Sequence, residues 1–255
     1  MDYPVITSGK FKYKQSREDG NVLLLLHGLF GGLSNFNELF DYFKDSHRVV
    51  IPVLPIYELP LLKVSVSGLV DYIDEFVDYM GFGKVHVLGN SLGGHIAILY
   101  ALKRSDKISS VILTGSSGLF ESAMGSSYPR RGDYNYIKKK TEATFYDPTV
   151  ATKELVDEVY GIVNDRGKGI RIIATAKSAV RHNLENQLHN ITAPTCLIWG
   201  NNDTITPPFV AEKFNELIKN SELHFLDKCG HSPMMEIPEK FNVILADFLK
   251  RVEGA

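Results

Sequence analysis

The sequence predicts an α/β fold in which a mostly parallel, doubly wound sheet is interrupted late by an inserted helical segment. Three observations carry that expectation. Short apolar runs recur at residues 22–26, 48–53, 84–88, 108–113, 195–199 and 223–226, several of them β-branched, as expected of strands buried on both faces. Helical spacing lies between several of them, as where Leu69, Tyr72, Ile73, Phe76 and Met80 share one side of residues 66–80, and alternating strand and helix favours a parallel sheet. The interval from Gly115 to Ala193 breaks this rhythm and is too long for a plain crossover or a structureless loop.

Taken in order, residues 10–14 alternate lysine with Phe11 and Tyr13, so the lysines guard the water-facing side of a strand at the sheet's antiparallel edge. The apolar run 22–26 opens into the glycine loop His27-Gly28-Leu29-Phe30-Gly31-Gly32. Residues 84–88 lead into Gly89-Asn90-Ser91-Leu92-Gly93-Gly94, and 94–102 reads as a mostly buried helix. Its end at Lys103-Arg104 suits the negative pole of a helix C-terminus. Residues 195–199 run into Gly200-Asn201-Asn202-Asp203, and 223–226 into Asp227-Lys228-Cys229-Gly230-His231-Ser232-Pro233. The domain organisation that follows is a core of residues 1–114 and 194–255 with a helical lid at 115–193, in which 154–160 and 170–180 are helical and Phe120, Met124, Phe145 and Tyr146 are candidate lining residues.

Bulk properties exclude several classes. A chain of 255 residues suits one α/β core with an insertion, and a formal charge of -2 offers no general attraction to nucleic acid or an anionic membrane. Two cysteines make no disulfide framework; Cys196 and Cys229 are expected as small buried residues. Residues 1–5 show no basic segment leading into an apolar one, and the longest apolar run cannot span a bilayer, so the expected location is cytoplasmic. No HExxH, paired Cys-x-x-Cys or phosphate loop is present, so no metal or nucleotide cofactor is expected. The basic run at Lys138–Lys140 is expected as a solvated helix face, and Arg131-Gly132-Asp133 as a chance match to an adhesion motif.

The chemistry is concentrated at Ser91. A serine hydroxyl is a poor nucleophile until a tight strand-to-helix turn lifts it towards a base. Gly89 and Gly93 are the small neighbours such a turn needs. With glycine and serine each at roughly 7% of residues, G-x-S-x-G arises by chance in about one chain of this size in ten, so the flanking strand and helix carry the assignment. His231, on a loop after a late strand, is the candidate base, and Asp203 the carboxylate that orients it. The loop at residues 114–118 offers no carboxylate, and Asp227 is expected to shape the loop of His231. The backbone N–H groups of Leu29 and Leu92 are the candidate oxyanion donors, with that of Phe30 as the alternative to Leu29, and the side chains of Leu29 and Phe30 would face the substrate pocket. His27 is expected to shape its loop, and His86 and His95 to be satisfied core histidines.

These four ordered motifs, the His-Gly loop, the Gly-Asn-Ser-Leu-Gly-Gly elbow, the Gly-Asn-Asn-Asp loop and the Cys-Gly-His-Ser-Pro segment, resemble the lid-bearing α/β-hydrolases over residues 9–249. The resemblance implies a serine hydrolase acting on a small-molecule ester or related carbonyl compound, as carboxylesterases do. Asn90 is similar to the residue before the serine in the meta-cleavage product hydrolases, which break carbon–carbon bonds of vinylogous ring-fission diketones; there it would support the substrate pocket. Ser232 and Met235 stand where that subgroup carries tryptophans, and Val159 where it carries a lid arginine, leaving Arg166, Arg171 and Arg181 as replacements. The rival of another class is a non-enzymatic small-molecule receptor, which fold alone does not exclude.

Overall fold

The computed structural model describes residues 3–120 and 130–254; Met124, one of the expected lining residues, lies outside them. Eight strands form one sheet: β1 (Ile6–Ser8), β2 (Phe11–Gln15), β3 (Val22–Leu26), β4 (Arg48–Pro52), β5 (Val85–Asn90), β6 (Ile108–Thr114), β7 (Thr195–Gly200) and β8 (Ser221–Leu226). Their spatial order is β1-β2-β4-β3-β5-β6-β7-β8, antiparallel where β2 meets β1 and β4 and parallel from β4 to β8. The alternation at residues 10–14 does place β2 on the antiparallel side, but the outermost strand is β1, three residues of which none is buried.

Every residue of β3, β5 and β7 is buried, because helices cover both faces. Successive side chains of β3 divide between them: Leu24 and Leu26 pack with α2 (Val66–Tyr79), α3 (Leu92–Lys103) and α7 (Pro208–Leu217), whereas Leu23 and Leu25 pack with α1 (Asn37–Phe43) and α9 (Pro238–Glu253). Between β6 and β7 the chain forms α4 (Tyr134–Glu142), α5 (Lys153–Asn164) and α6 (Arg166–Arg181), each started by a capping aspartate or threonine. Asp133 of the adhesion-like tripeptide is one of these caps, accepting from Tyr136 N–H, and Lys138–Lys140 are exposed on α4 as expected.

Phe145, Ala151 and Val156 make a small core of their own in this segment. Met235, on the short helix α8 (Pro233–Glu236) beyond β8, packs into it. Among the described residues no helix is long and apolar enough to cross a membrane.

Candidate active site

All loops bearing the candidate residues leave the C-terminal ends of parallel strands, which in open α/β sheets is where ligands bind. Ser91 follows β5 directly and adopts φ 55°, ψ -119°, one of two non-glycine residues with positive φ among those described. Such a conformation costs about 1–3 kcal/mol and persists only where surroundings over-determine it. Here they do: Ser91 N–H donates to Thr114 O at 3.1 Å, and Ser91 O accepts from the N–H groups of Gly94, His95 and Ser117. A Cβ at Gly89 would lie 2.2 Å from Gly93 O, and one at Gly93 1.9 Å from Leu26 O. Both obstacles are backbone and cannot step aside. Gly93→Ala is therefore expected to destabilise the protein by about 3 kcal/mol or more, the upper range of overpacking costs; a urea midpoint equal to that of the parent would refute the close approach of α3 to β3.

Asp203 and His231 come together from the loops after β7 and β8. His231 Nδ1–H donates to Asp203 Oδ2 at 2.9 Å, and both residues are almost fully buried. Asp203 Oδ1 accepts the N–H groups of Ile205 and Thr206, at 2.8 and 2.9 Å, while Thr206 Oγ1–H donates to Oδ2 at 2.8 Å. Burial works to raise the Asp203 carboxyl, but the His231 charge and hydrogen bond and the Thr206 donors outweigh it and hold the group below the usual carboxylate range. An aspartate capping its own turn is what a surface loop would show; the same turn here also serves the histidine.

The backbone of His231 is held from two sides. Its N–H donates to Thr144 O at 3.0 Å, and its carbonyl accepts from Asn90 Nδ2 at 3.1 Å. Asn90 Nδ2 also donates to Thr114 O at 3.1 Å. Both donors of Asn90 are thus spent on the backbone of β6 and of the histidine loop, and are not free for the substrate-pocket role that the resemblance implies for Asn90. Gly115, at φ 51°, leaves room for the imidazole: a Cβ there would come 2.8 Å from His231 Nδ1. Ser91 Oγ has no hydrogen bond among the described residues.

The loop after β3 is pinned from its carbonyl side. Gly28 O accepts from His27 Nδ1–H at 2.9 Å and from Gly31 N–H at 3.2 Å. Because the peptide is planar and trans, the Leu29 N–H of the same unit points the opposite way. Leu54 N–H donates to His27 Nε2 at 3.2 Å, so both ring nitrogens are used by the neutral imidazole, and burial pushes its pKa down. Tyr57 Oη–H donates to Leu29 O at 2.7 Å and fixes the next peptide likewise. Neither Leu29 N–H nor Leu92 N–H has an acceptor among the described residues. Gly28 brings this loop against the elbow, a Cβ there lying 3.2 Å from Ser91 Cβ. Phe30 beside it is half-buried.

Phe120 and Phe209, at the start of the inserted segment and of α7, meet edge to face with centroids 5.2 Å apart. Of the arginines considered as keto-acid partners, Arg171 donates to Leu59 O and Gly167 O, and Arg166 and Arg181 are exposed. Asp227 bonds Asn201 and so shapes its loop as expected. His86 is satisfied by Ser110 Oγ and Glu253. His95 departs from expectation: among the described residues neither ring nitrogen meets a partner of ordinary hydrogen-bond geometry, and burial lowers its pKa to about 4.

Cys196, Glu222 and His224 gather on β7 and β8, but Arg251 donates to both Glu222 oxygens and burial pushes the Cys196 thiol up, which makes the group an ion-pair network. Glu236 was invisible to motif reading, yet its carboxylate accepts from Gly230 N–H at 2.9 Å and Tyr146 N–H at 2.7 Å. Its only sequence signal is a position five residues after His231.

This sheet, with an elbow serine after β5 and a buried Asp–His pair after β7 and β8, is the arrangement of an α/β hydrolase. The profile of the alpha/beta hydrolase fold family matches residues 63–238, and the chain belongs to that family and is a hydrolase. Similar solved structures include MGS-MChE2, an alpha/beta hydrolase enzyme from the metagenome of lagoon sediments at Mar Chica, Morocco, with 41% identity, a TM-score of 0.81 and coverage of 98% of this chain and 99% of that one. Similar sequences include a 2-hydroxy-6-oxononadienedioate/2-hydroxy-6-oxononatrienedioate hydrolase of Burkholderia vietnamiensis, 26% identical over 96% of this chain and 92% of its own. The monoacylglycerol lipase abhd6-A of Xenopus laevis is 26% identical over 96% of this chain and 80% of its own.

Proposed function

We propose that the protein is a carboxylester hydrolase in which Ser91 is the nucleophile, His231 the general base and Asp203 its orienting carboxylate. The observation that carries this reading is the buried Asp203–His231 pair beside the strained Ser91 elbow. Ser91 Oγ adds to the ester carbonyl carbon as His231 Nε2 takes its proton, and the carbonyl oxygen becomes an oxyanion received by the Leu29 and Leu92 N–H groups. Collapse of the tetrahedral adduct breaks the bond to the alkoxy oxygen, which leaves with the proton from His231. Water then adds to the acyl-serine, losing its proton to His231, and the acid departs as Ser91 recovers that proton. Asn90 sets the histidine loop from beneath, and residues 115–193 act as a lid that excludes water and narrows access to apolar substrates.

Carbon–carbon cleavage of vinylogous diketones is the second reading, favoured by the relatives named for it. Arg171 being committed to backbone carbonyls weighs against it, since a keto-acid end would meet no arginine from that helix position. The test is steady-state kinetics on p-nitrophenyl esters of graded acyl length beside a ring-fission diketone. Ester turnover at least about tenfold more efficient in kcat/KM, a difference of about 1.4 kcal/mol in transition-state binding, is the expected result. Preferential diketone cleavage would replace the ester reading, and silence on both would favour a receptor.

A further inference from the structure

We infer that Glu236 is a positioning residue that ties the inserted segment to the loop of His231, so that the two move as one unit. Its carboxylate accepts from Gly230 N–H at 2.9 and 3.0 Å, from Ser232 N–H at 3.4 Å and from Tyr146 N–H at 2.7 Å. The first two donors flank His231, and the third belongs to the segment between β6 and β7. Three independent contacts follow the same seam. His231 N–H reaches Thr144 O, Thr204 Oγ1–H reaches Ala143 O at 3.4 Å, and Met235 enters the small core of Phe145, Ala151 and Val156. Gly230 permits the approach: a Cβ there would lie 2.7 Å from Thr144 O and 2.9 Å from Tyr146 N.

A carboxylate is the group this seam requires. Among the described residues the carboxylate accepts from backbone N–H groups and forms no ion pair, so fixed backbone dipoles receive its charge. A glutamine with its oxygen in the Oε2 place would still accept from Tyr146 and Gly230 N–H, but its NH₂ would then face the Gly230 and Ser232 N–H groups that Oε1 now receives, donor against donor. Released from the insert, the histidine loop would lose two of its constraints, and a misplacement of about 1 Å at a reacting group costs about 100-fold in rate.

The inference rests on His231 being the base, and its test separates the two. Glu236→Gln, checked for folding by near-UV circular dichroism and counted by fluorophosphonate titration, is expected to lose about 10–100-fold in kcat per titrated site. KM should stay within about threefold, and amide exchange should quicken together at residues 144–146 and 230–232. A kcat within about twofold of the parent, or faster exchange at 230–232 alone, overturns the coupling. Should Glu236→Gln not accumulate folded, Glu236→Asp keeps the charge but is one methylene short of spanning both segments. The same paired effects are expected there, and an unchanged kcat is equally fatal. Ser91→Ala, run in parallel, distinguishes the failures: turnover surviving in it sinks the triad, whereas its loss beside a normal Glu236→Gln sinks only the role of Glu236.

Discussion

Ser91→Ala is expected to lower kcat on esters by about 10⁴–10⁶-fold, leaving only the modest acceleration that binding and oxyanion donors supply without a nucleophile. The same position separates chemistry from strain. Ser91 holds φ 55°, ψ -119° because Thr114 O, the N–H groups of Gly94, His95 and Ser117, and the crowding of Gly89 against Gly93 leave the turn no alternative. Alanine keeps the Cβ and hence the strain. Glycine removes it, gaining back about 1–3 kcal/mol against roughly 0.5–1 kcal/mol lost to its freer unfolded chain. Ser91→Gly should therefore be as inactive as Ser91→Ala but more resistant to urea, by up to about 2.5 kcal/mol. A Ser91→Gly midpoint below that of Ser91→Ala would mean the elbow is not strained, and residual turnover in Ser91→Ala above about a hundredth of the parent rate would remove Ser91 from the reaction.

Asp203→Asn is expected to cost about 10⁴-fold in kcat with little change in KM. The carboxylate accepts four hydrogen bonds, from Ile205 N–H, Thr206 N–H, Thr206 Oγ1 and His231 Nδ1. An amide in its place has only one oxygen to receive them. If its NH₂ faces the imidazole, Nδ1 must become an acceptor, which puts the proton on Nε2 and leaves Ser91 with no base. Stability should also respond to pH. The Asp203 carboxyl is held lower in the folded state than in the unfolded chain, so its contribution is complete above the ordinary carboxylate range and is lost as pH falls through the depressed folded value. Acid unfolding of the parent should include this component, and the asparagine variant should lack it. Identical acid limbs for the two proteins, or a kcat loss below about tenfold, would contradict the assignment.

The strands were legible because burial on both faces writes a continuous apolar run, so β3, β4, β5, β6 and β7 each fall within a residue or two of expectation. Helix α9 went unassigned although Phe241, Leu245, Phe248 and Leu249 repeat at helical spacing within it. Helix α4 is another matter: only Ile137 and Thr141 are buried, and its lysine run hides the stripe. Edge strand β1 has no pattern of its own and exists through its pairing with β2. His95, by its place on a buried helix, suggested a partnered imidazole, yet among the described residues neither nitrogen meets a partner of ordinary hydrogen-bond geometry, although the His182 ring lies edge-on to it.

By itself the sequence determined the class of fold, the order of its strands along the chain, and which serine, aspartate and histidine stand on loops after them. These are local properties, set by side-chain burial, glycine at a tight turn and the period of apolar residues. Only the tertiary structure decided that β8 lies beside β7 so that Asp203 meets His231, that Asn90 and Thr144 hold the histidine backbone, and that His27 and Tyr57 turn the Leu29 loop. Those contacts join residues up to 141 positions apart, as Asn90 and His231 are. They depend on strand register and on hydrogen bonds to backbone atoms, which every residue carries alike and no side-chain pattern records.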